Sequence, residues 1–288
     1  MKIRKTYYAI IMMVSGLLAN TAMAQNLHDQ LPATIRDAGK LVVGTSPTYP
    51  PLEYKDVTTM ELKGLDIDLA TEIAHRLGLG IEWKEAAFDQ LINSLATGRI
   101  NMGASGMTDI ASRRGKVDFV DYFSTGSQLF TLKTLGAGLK QPSDVCGKPV
   151  AVNRNGIFYI RLQEFNQRVC QASGLADIQY WLVDKTADAR LQMQQKRVLA
   201  AVQGVDAIRY LNEQPDSPDK GKYQLIGEPI AVDYAGFGFA KDQTVLRDLV
   251  VKALNEMIAD GSYSKIFAKW DLSYAEVKRA MINTQPIN

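Results

Sequence analysis

The chain has 288 residues, with 33 basic and 31 acidic side chains, two cysteines and two histidines. This length can bury a sizeable core and leaves room for two lobes. The near balance of charge gives no support to nucleic-acid binding, and His28 and His75 lack the spacing of metal ligands.

The first 24 residues contain the three parts of an export signal. Three basic residues precede an apolar run at 7–18, and Ala22-Met23-Ala24 has the small-x-small pattern of a cleavage site. The apolar run is shorter than the about 20 residues that cross a bilayer. We therefore predict a signal peptide over 1–24 and a periplasmic mature protein with 30 basic and 31 acidic residues. An uncleaved membrane anchor is the alternative.

Short apolar strands alternate with amphipathic helices in the first half of the mature chain. The predicted elements are, in order, a strand at 40–45, a helix at 64–78 that Asp66 or Asp68 can cap, a strand at 81–84, a helix at 88–97 and a strand at 100–104. This repeated order implies a mainly parallel sheet covered on both faces.

A second series of the same kind starts near Lys148. Its predicted elements are strands at 148–153, 178–183, 199–203 and 235–242, and helices at 157–173, 186–195, 205–213, 245–258 and 262–270, with one more helix expected after Ser273. Two α/β series predict two lobes, and such sheets bind ligands at the carboxyl ends of their strands.

The two cysteines, Cys146 and Cys170, are 24 residues apart. Exported thiols tend to oxidise, so we predict a disulfide. A loop of this length would stabilise the fold by about 3 kcal/mol. Two buried free thiols are the alternative.

Residues 105–114, SGMTDIASRR, place small residues before a helix start and two arginines soon after it. Amides at a helix start favour anions, and a guanidinium forks onto two carboxylate oxygens. The segment therefore predicts a site for a carboxylate, with Arg113 as its cation. Arg114 points elsewhere on a helix and is expected in solvent. Ser105 is a weaker candidate that could simply pack in the turn.

At this point the chain resembles the periplasmic solute-binding proteins of polar amino-acid ABC transporters, the bacterial extracellular solute-binding protein family 3. The matching segments are LVVGTSPTYPPLEYK (41–55), GLDIDLATEIAHRLG (64–78), FDQLINSLATGRINMGASGMT (88–108), RRGKVDFVDYF (113–123) and ADGSYSKIFAKW (259–270).

The resemblance implies an α/β periplasmic-binding-protein fold of type II. Two lobes, each a mainly parallel sheet flanked by helices, would be joined by two crossing strands, with lobe 1 at 25–125 and 236–288 and lobe 2 at 126–235. Similar proteins close like a hinge around one amino acid or small carboxylate and deliver it to a membrane permease. The implied protein is a monomer without a cofactor.

The resemblance also assigns roles in the first lobe. Arg113 matches the residue that binds the ligand's α-carboxylate, Thr108 a ligand-binding hydroxyl and Gly106 a backbone that lies against the ligand. Phe88 matches an aromatic wall, with a core phenylalanine as the equal alternative. Tyr49 matches an aromatic that covers the ligand from a stiff proline-rich loop, which Glu53 is expected to buttress.

Several positions depart from the family pattern. Ser46 stands where relatives that bind basic amino acids often have aspartate, which argues against a cationic ligand side chain. Gly204 stands where the family usually has its ammonium-binding aspartate, and Asp206 is a possible substitute. At the second-lobe helix start, Gly156 offers its amide. Arg154 and Asn155 are candidates to contact a second acidic group, and a solvated loop is the alternative.

Three functions compete on this evidence. A transport binding protein without catalysis is favoured. An exported enzyme on the same fold, similar to cyclohexadienyl dehydratase, needs an acid or base, for which Glu53, Asp184 and Asp206 are the candidates. A sensor module would need a separate receptor. The ligand is either an amino acid held in an altered way or an organic acid without an amine.

Overall fold

Two long strands carry the chain between two separately packed units. In the computed structural model, which describes residues 27–154, 156–214, 217 and 219–286, one unit ends at Tyr122 and resumes at Gly236. The other unit runs from Phe123 to Ala235. The predicted signal peptide lies outside the described residues and stays a prediction.

The first unit is built from two segments of the chain, one before and one after the second unit. Its elements are α1 (Ala33–Ala38), β1 (Lys40–Thr45), β2 (Thr48–Tyr49), β3 (Glu53–Lys55), β4 (Leu62–Lys63), α2 (Leu65–Arg76), β5 (Gly80–Glu85), α3 (Phe88–Ala96), β6 (Met102–Gly103), α4 (Ala111–Arg114) and the first part of β7 (Val117–Leu132). After the second unit come the last part of β12 (Ala231–Ala240), α8 (Thr244–Asp260), α9 (Ser262–Lys269), a 3₁₀ turn (Ser273–Ala275), β13 (Glu276–Ile282) and β14 (Gln285–Pro286).

The main sheet of the first unit follows the predicted parallel pattern. Strand β1 pairs in parallel with β5 on one side and β6 on the other, and β12 pairs antiparallel with β6. Helix α3 buries Leu91 and Leu95 in a core with Phe119 of β7. The β-α order therefore brings the carboxyl ends of β1 and β6 to the same edge, as expected for adjacent parallel strands.

The second unit repeats the design. Its elements are the rest of β7, a 3₁₀ turn (Pro142–Val145), β8 (Pro149–Asn153), α5 (Ile157–Phe165) continued by a π-helical turn (Asn166–Gln171), β9 (Gln179–Val183), α6 (Thr186–Gln194), β10 (Ala200–Gly204), α7 (Val205–Glu213), β11 (Tyr223–Leu225) and the start of β12.

Alternation along the central strands of this unit fills a core on each face of its sheet. Strand β8 pairs in parallel with β9 and β10, whereas β7 pairs antiparallel with β10. Val150 and Val152 pack into one core and Ala151, between them, into the other. A strand buried on both faces is typical of α/β sheets, and the predicted α/β class is confirmed.

The predicted disulfide is also confirmed. Cys146 follows the 3₁₀ turn, Cys170 lies in the π-helical turn, and their Cα atoms are 5.6 Å apart. Cys170 is fully buried in the core cluster that contains Val150. The bond therefore links the π-helical turn that continues α5 to the segment that leads into β8.

Two local predictions were wrong. Neither Asp66 nor Asp68 caps α2, whose N-cap is Gly64 without a side-chain cap; Asp66 is buried and bonds elsewhere. The predicted helix after Ser273 is a 3₁₀ turn followed by the hairpin of β13 and β14. Tertiary pairing with β7 overrides the helix propensity of that tail.

Within the described part of the chain, no helix is long and apolar enough to cross a membrane. The same residues hold no cluster of three or more His, Cys, Asp or Glu side chains suited to a metal ion.

Candidate functional site

Residues 105–114, here the 105–114 loop, leave β6 at the carboxyl edge of the first unit's sheet. Gly106 adopts a left-handed backbone (φ 51°), and a Cβ there would lie 3.0 Å from Leu52 Cδ1. Met107 is buried against Gly103 and Gly238, where a Cβ on Gly238 would approach Met107 Cε to 2.3 Å. Glycine at these positions lets the loop lie close to the sheet.

Two buried acids, Asp66 and Glu53, accept hydrogen bonds from the first residues of this loop. The Gly106 amide donates to Asp66 Oδ2 at 2.7 Å, and the hydroxyl of Tyr122 donates to the other oxygen of Asp66. Burial and the charge of Asp66 raise the pKa of Tyr122 well above its ordinary value. Since the phenol stays protonated, it remains a donor to Asp66, and the Gly106 backbone is fixed in direction.

Glu53 performs the same task for Ser105. The Ser105 hydroxyl donates to Glu53 Oε1 at 3.0 Å and accepts the amide of Ser46 at 3.0 Å. Glu53 is 2 % exposed. These contacts join the backbone after β1 to the 105–114 loop, with Glu53 supporting Ser105. The expected buttressing of the proline-rich loop by Glu53 and the ligand contact of Ser46 stay predictions.

Arg113 is the cation of the loop. Its Nη1 donates to the Thr108 carbonyl at 2.8 Å, and its guanidinium carbon lies 5.2 Å from the centre of the Phe88 ring. Burial lowers the pKa of Arg113. Among the described residues no carboxylate lies within ion-pair distance of this guanidinium, so its positive charge is available to an anion.

The other predicted residues of the first unit are Thr108, Phe88 and Tyr49, of which the first two contact Arg113. Thr108 is buried at 6 % exposure, whereas Phe88, the first residue of α3, is 37 % exposed. Phe88 is therefore not a core residue, and its ring supports Arg113 through a cation–π contact. Tyr49 is half-buried in β2.

The predicted residues of the second unit lie at two helix starts. Gly156 is the N-cap of α5, and Gly204 is the N-cap of α7. Asp206, in the first turn of α7, is 1 % exposed and accepts a hydrogen bond of 2.6 Å from Thr125. Arg154 forms an ion pair with Asp184 at 2.8 Å. Asn155 lies outside the described residues.

Sequence reasoning missed three residues behind the loop. Arg114, predicted to be in solvent, instead bonds Asp109 through two guanidinium nitrogens, and the prediction was wrong. Thr284 accepts from Arg114 and donates to Asp109. Asp109 and Arg114 both lie in the 105–114 segment, but Thr284 is 170 residues from Arg114. No local sequence pattern connects Thr284 with that segment.

Residues 41–273 match the model of the bacterial extracellular solute-binding proteins, family 3. The chain belongs to this family.

Named relatives of this family 3 protein are binding proteins. It is 31 % identical to the L-cystine-binding protein TcyA of Bacillus subtilis, over 93 % of this chain and 97 % of TcyA. It is 28 % identical to the arginine-binding protein ArgT of Corynebacterium glutamicum, over 91 % of this chain and 84 % of ArgT.

A solved structure shares the fold. The ancestral amino acid-binding protein AncCDT-1, described as a precursor of cyclohexadienyl dehydratase, superposes with a TM-score of 0.69 at 26 % identity and covers 82 % of this chain and 97 % of its own. The two-lobed α/β fold predicted from the sequence is thus the fold of this family 3 protein.

Proposed function

We propose that this family 3 protein binds one amino acid, or a related small carboxylate, in the periplasm and delivers it to a membrane ABC permease. The observation that carries the proposal is the surroundings of Arg113. Its side chain is half-buried beside Thr108 and Phe88, with burial lowering its pKa and no ion-pair partner among the described residues. A ligand carboxylate would supply the missing charge and two acceptor oxygens.

The relatives support the same ligand class. One is named for cystine and another for arginine. These ligands differ in their side chains and share an α-carboxylate and an α-ammonium group. A guanidinium that binds the shared carboxylate fits both names, which leaves the side chain to be read by other residues.

The predicted contacts of the second unit stay predictions. Gly204 carries no charge for an ammonium group, and Asp206, two residues on, is a buried carboxylate that Thr125 orients. The predicted contacts by Gly156 and Asn155 are equally open. The proposal therefore covers both amino acids and acids that lack an amine.

A thermal-unfolding screen of the purified mature protein tests the proposal. L-amino acids, cystine and small amine-free carboxylates are added one at a time. A true ligand at 100 times its Kd stabilises the folded state by about 2.7 kcal/mol. Titration calorimetry on the ligands that pass then separates amine-bearing from amine-free acids.

Arg113→Met tests the placing of the carboxylate. The substitution keeps an unbranched apolar stem and removes the guanidinium with its charge, so we expect the ligand-induced shift to disappear. Arg99→Met, at an exposed arginine of the same unit, is the matched control and should keep the shift. An unchanged shift in Arg113→Met would refute the role of this guanidinium.

An enzyme on the same fold is the alternative, and the surroundings of its candidate acids favour binding instead. Glu53 is engaged by Ser105, Asp184 by Arg154 and Asp206 by Thr125. The structural neighbour associated with a dehydratase is itself described as amino acid-binding. Incubation with prephenate distinguishes the two functions, because a binding protein leaves this compound intact.

A further inference from the structure

The tail after the family match forms a hairpin on the first unit. The match ends at residue 273, and β13 and β14 follow it, with β13 pairing with β14 and β7. Val277 and Ala280 of β13 are buried. The hairpin is therefore packed against the first unit and extends its sheet through β7.

The turn consists of Asn283 and Thr284, both with left-handed backbones (φ 53° and 58°). This conformation is unfavourable for a β-branched residue such as threonine, so surrounding contacts must hold it. Asn283 supplies some of them, since its amide donates to the Phe119 carbonyl at 3.1 Å and its Oδ1 accepts the Phe119 amide at 3.0 Å. Its Nδ2 also donates to Asp118 Oδ1 at 2.9 Å.

Thr284 makes contacts of a different kind, because they reach the loop that carries Arg113. Its hydroxyl donates to Asp109 Oδ2 at 2.7 Å and accepts from Arg114 Nη2 at 2.6 Å. Its amide donates to Asp121 Oδ2 at 2.7 Å. One residue thus joins an acid from the loop, an arginine from α4 and an acid from β7.

The positions of these partners in the sequence are what matter for the ligand. Asp109 directly follows Thr108, and Arg114 directly follows Arg113. Helix α4 begins two residues after Asp109 and ends at Arg114. It has four residues, and its N-cap Ile110 provides no side-chain cap. A helix this short has little stability of its own. Arg114, its last residue, bonds both Asp109 just before the helix and Thr284, so these bonds hold the end of the helix against the segment that precedes it.

We propose that Thr284 is a positioning residue, which sets the geometry of Arg113 and Thr108 by bonding their neighbours Arg114 and Asp109. The proposal rests on the proposed function, since it assigns the carboxylate site to Arg113 and Thr108. Thr284 itself does not touch the ligand. The chain therefore uses a segment beyond the family match to hold its anion-binding loop.

Three variants separate positioning from mere folding. Thr284→Val keeps the β-branched shape and removes the hydroxyl. Thr284→Ser keeps the hydroxyl. Val277→Ala, in the same hairpin, removes buried apolar surface without changing Asp109, Arg114 or Thr284. We expect it to lower stability without affecting the loop.

The first readout needs no ligand. Hydrogen exchange of the amides in residues 108–114 should become faster in Thr284→Val than in the wild type, and stay at the wild-type rate in Thr284→Ser and Val277→Ala. Equal exchange in Thr284→Val and the wild type would overturn the proposal. Equal acceleration in Val277→Ala would do so too, because it would show that general loosening of the hairpin is sufficient.

The second readout is the Kd of the ligand found in the screen. We expect Thr284→Val to weaken binding by about tenfold, because it removes the hydroxyl's hydrogen bonds to Asp109 and Arg114 and part of that loss reaches the ligand through Thr108 and Arg113. The other two variants should bind as the wild type does. An unchanged Kd in Thr284→Val would count against positioning. If the wild type binds no carboxylate, the proposed function fails, and the exchange experiment still decides whether Thr284 orders the loop.

Discussion

Arg113 and Arg114 are adjacent residues with opposite surroundings. Arg114 is satisfied inside the protein by Asp109 and Thr284. Arg113 has a carbonyl and an aromatic face as partners, and neither carries a formal negative charge. The difference explains why one guanidinium holds the fold while its neighbour is suited to an external anion.

Asp121 provides a pH test of the network behind the loop. Burial, together with the negative charge of Asp109, raises the pKa of Asp121 from 3.8 to about 7. Arg114 and the Thr284 amide face the same carboxyl and oppose this rise. Because the folded protein binds the proton more tightly than the unfolded chain, this group's contribution to stability falls as pH rises from about 4 to about 7 and is constant above that window.

Asp121→Asn removes this titration and keeps an acceptor for the Thr284 amide. We expect the variant to gain about 2 kcal/mol in unfolding free energy relative to the wild type between pH 5 and pH 8. Urea unfolding at the two pH values measures the difference. Asp242→Asn, at an exposed aspartate of the same unit, is the control and should show the same offset at both. A pH-independent offset in Asp121→Asn would contradict the assignment.

At the scale of elements, helix α4 and the tail after Ser273 show how tertiary contacts select local structure. Helix α4 has four residues, and its last residue, Arg114, is bonded to Asp109 and to Thr284. The tail after Ser273 contains good helix formers and yet forms strands, because β7 offers an edge to pair with. Propensity is a weak guide where an element is short and its partner is distant in sequence.

The disulfide is the element-scale feature with the clearest energetic consequence. Cys146 and Cys170 close a loop of 24 residues that contains β8 and α5. Reduction should lower the unfolding free energy by about 3 kcal/mol, since the unfolded chain regains the entropy of the open loop. Urea unfolding with and without reductant measures this change.

The double variant Cys146→Ser/Cys170→Ser is the control for that experiment, and the reductant should leave its stability unchanged. Under native conditions the wild type should have no thiol that reacts with an alkylating reagent. Two reactive thiols in exported protein would show that the bond does not form in the periplasm.

For the whole molecule, the predicted export signal bears on both the compartment and the net charge of the mature protein. Cleavage after Ala24 removes three basic residues and no acidic ones, which leaves 30 basic and 31 acidic residues. We expect intact-mass analysis of protein recovered from the periplasm to give a chain that starts at Gln25. A full-length mass in that fraction would favour an uncleaved anchor.

The sequence by itself determined the α/β class, the family, the cysteine pair and the choice of Arg113 as the candidate anion-binding residue. Each of these follows from a local signal: a hydrophobic period, a contiguous motif, or a residue type whose chemistry is the same in any context. The sequence left Phe88 open between an aromatic wall and a core residue; its exposure argues against the core, and the wall stays a prediction.

The tertiary structure alone decided which residues support the 105–114 loop. Asp66, predicted as a helix cap, accepts the Gly106 amide, and Arg114, predicted in solvent, is half-buried and bonds Thr284. The tail, predicted as a helix, forms a hairpin that brings Thr284 to Asp109. These assignments join residues 40 to 175 positions apart. Their energies come from desolvated hydrogen bonds between distant segments, and such bonds exist only once the chain has folded.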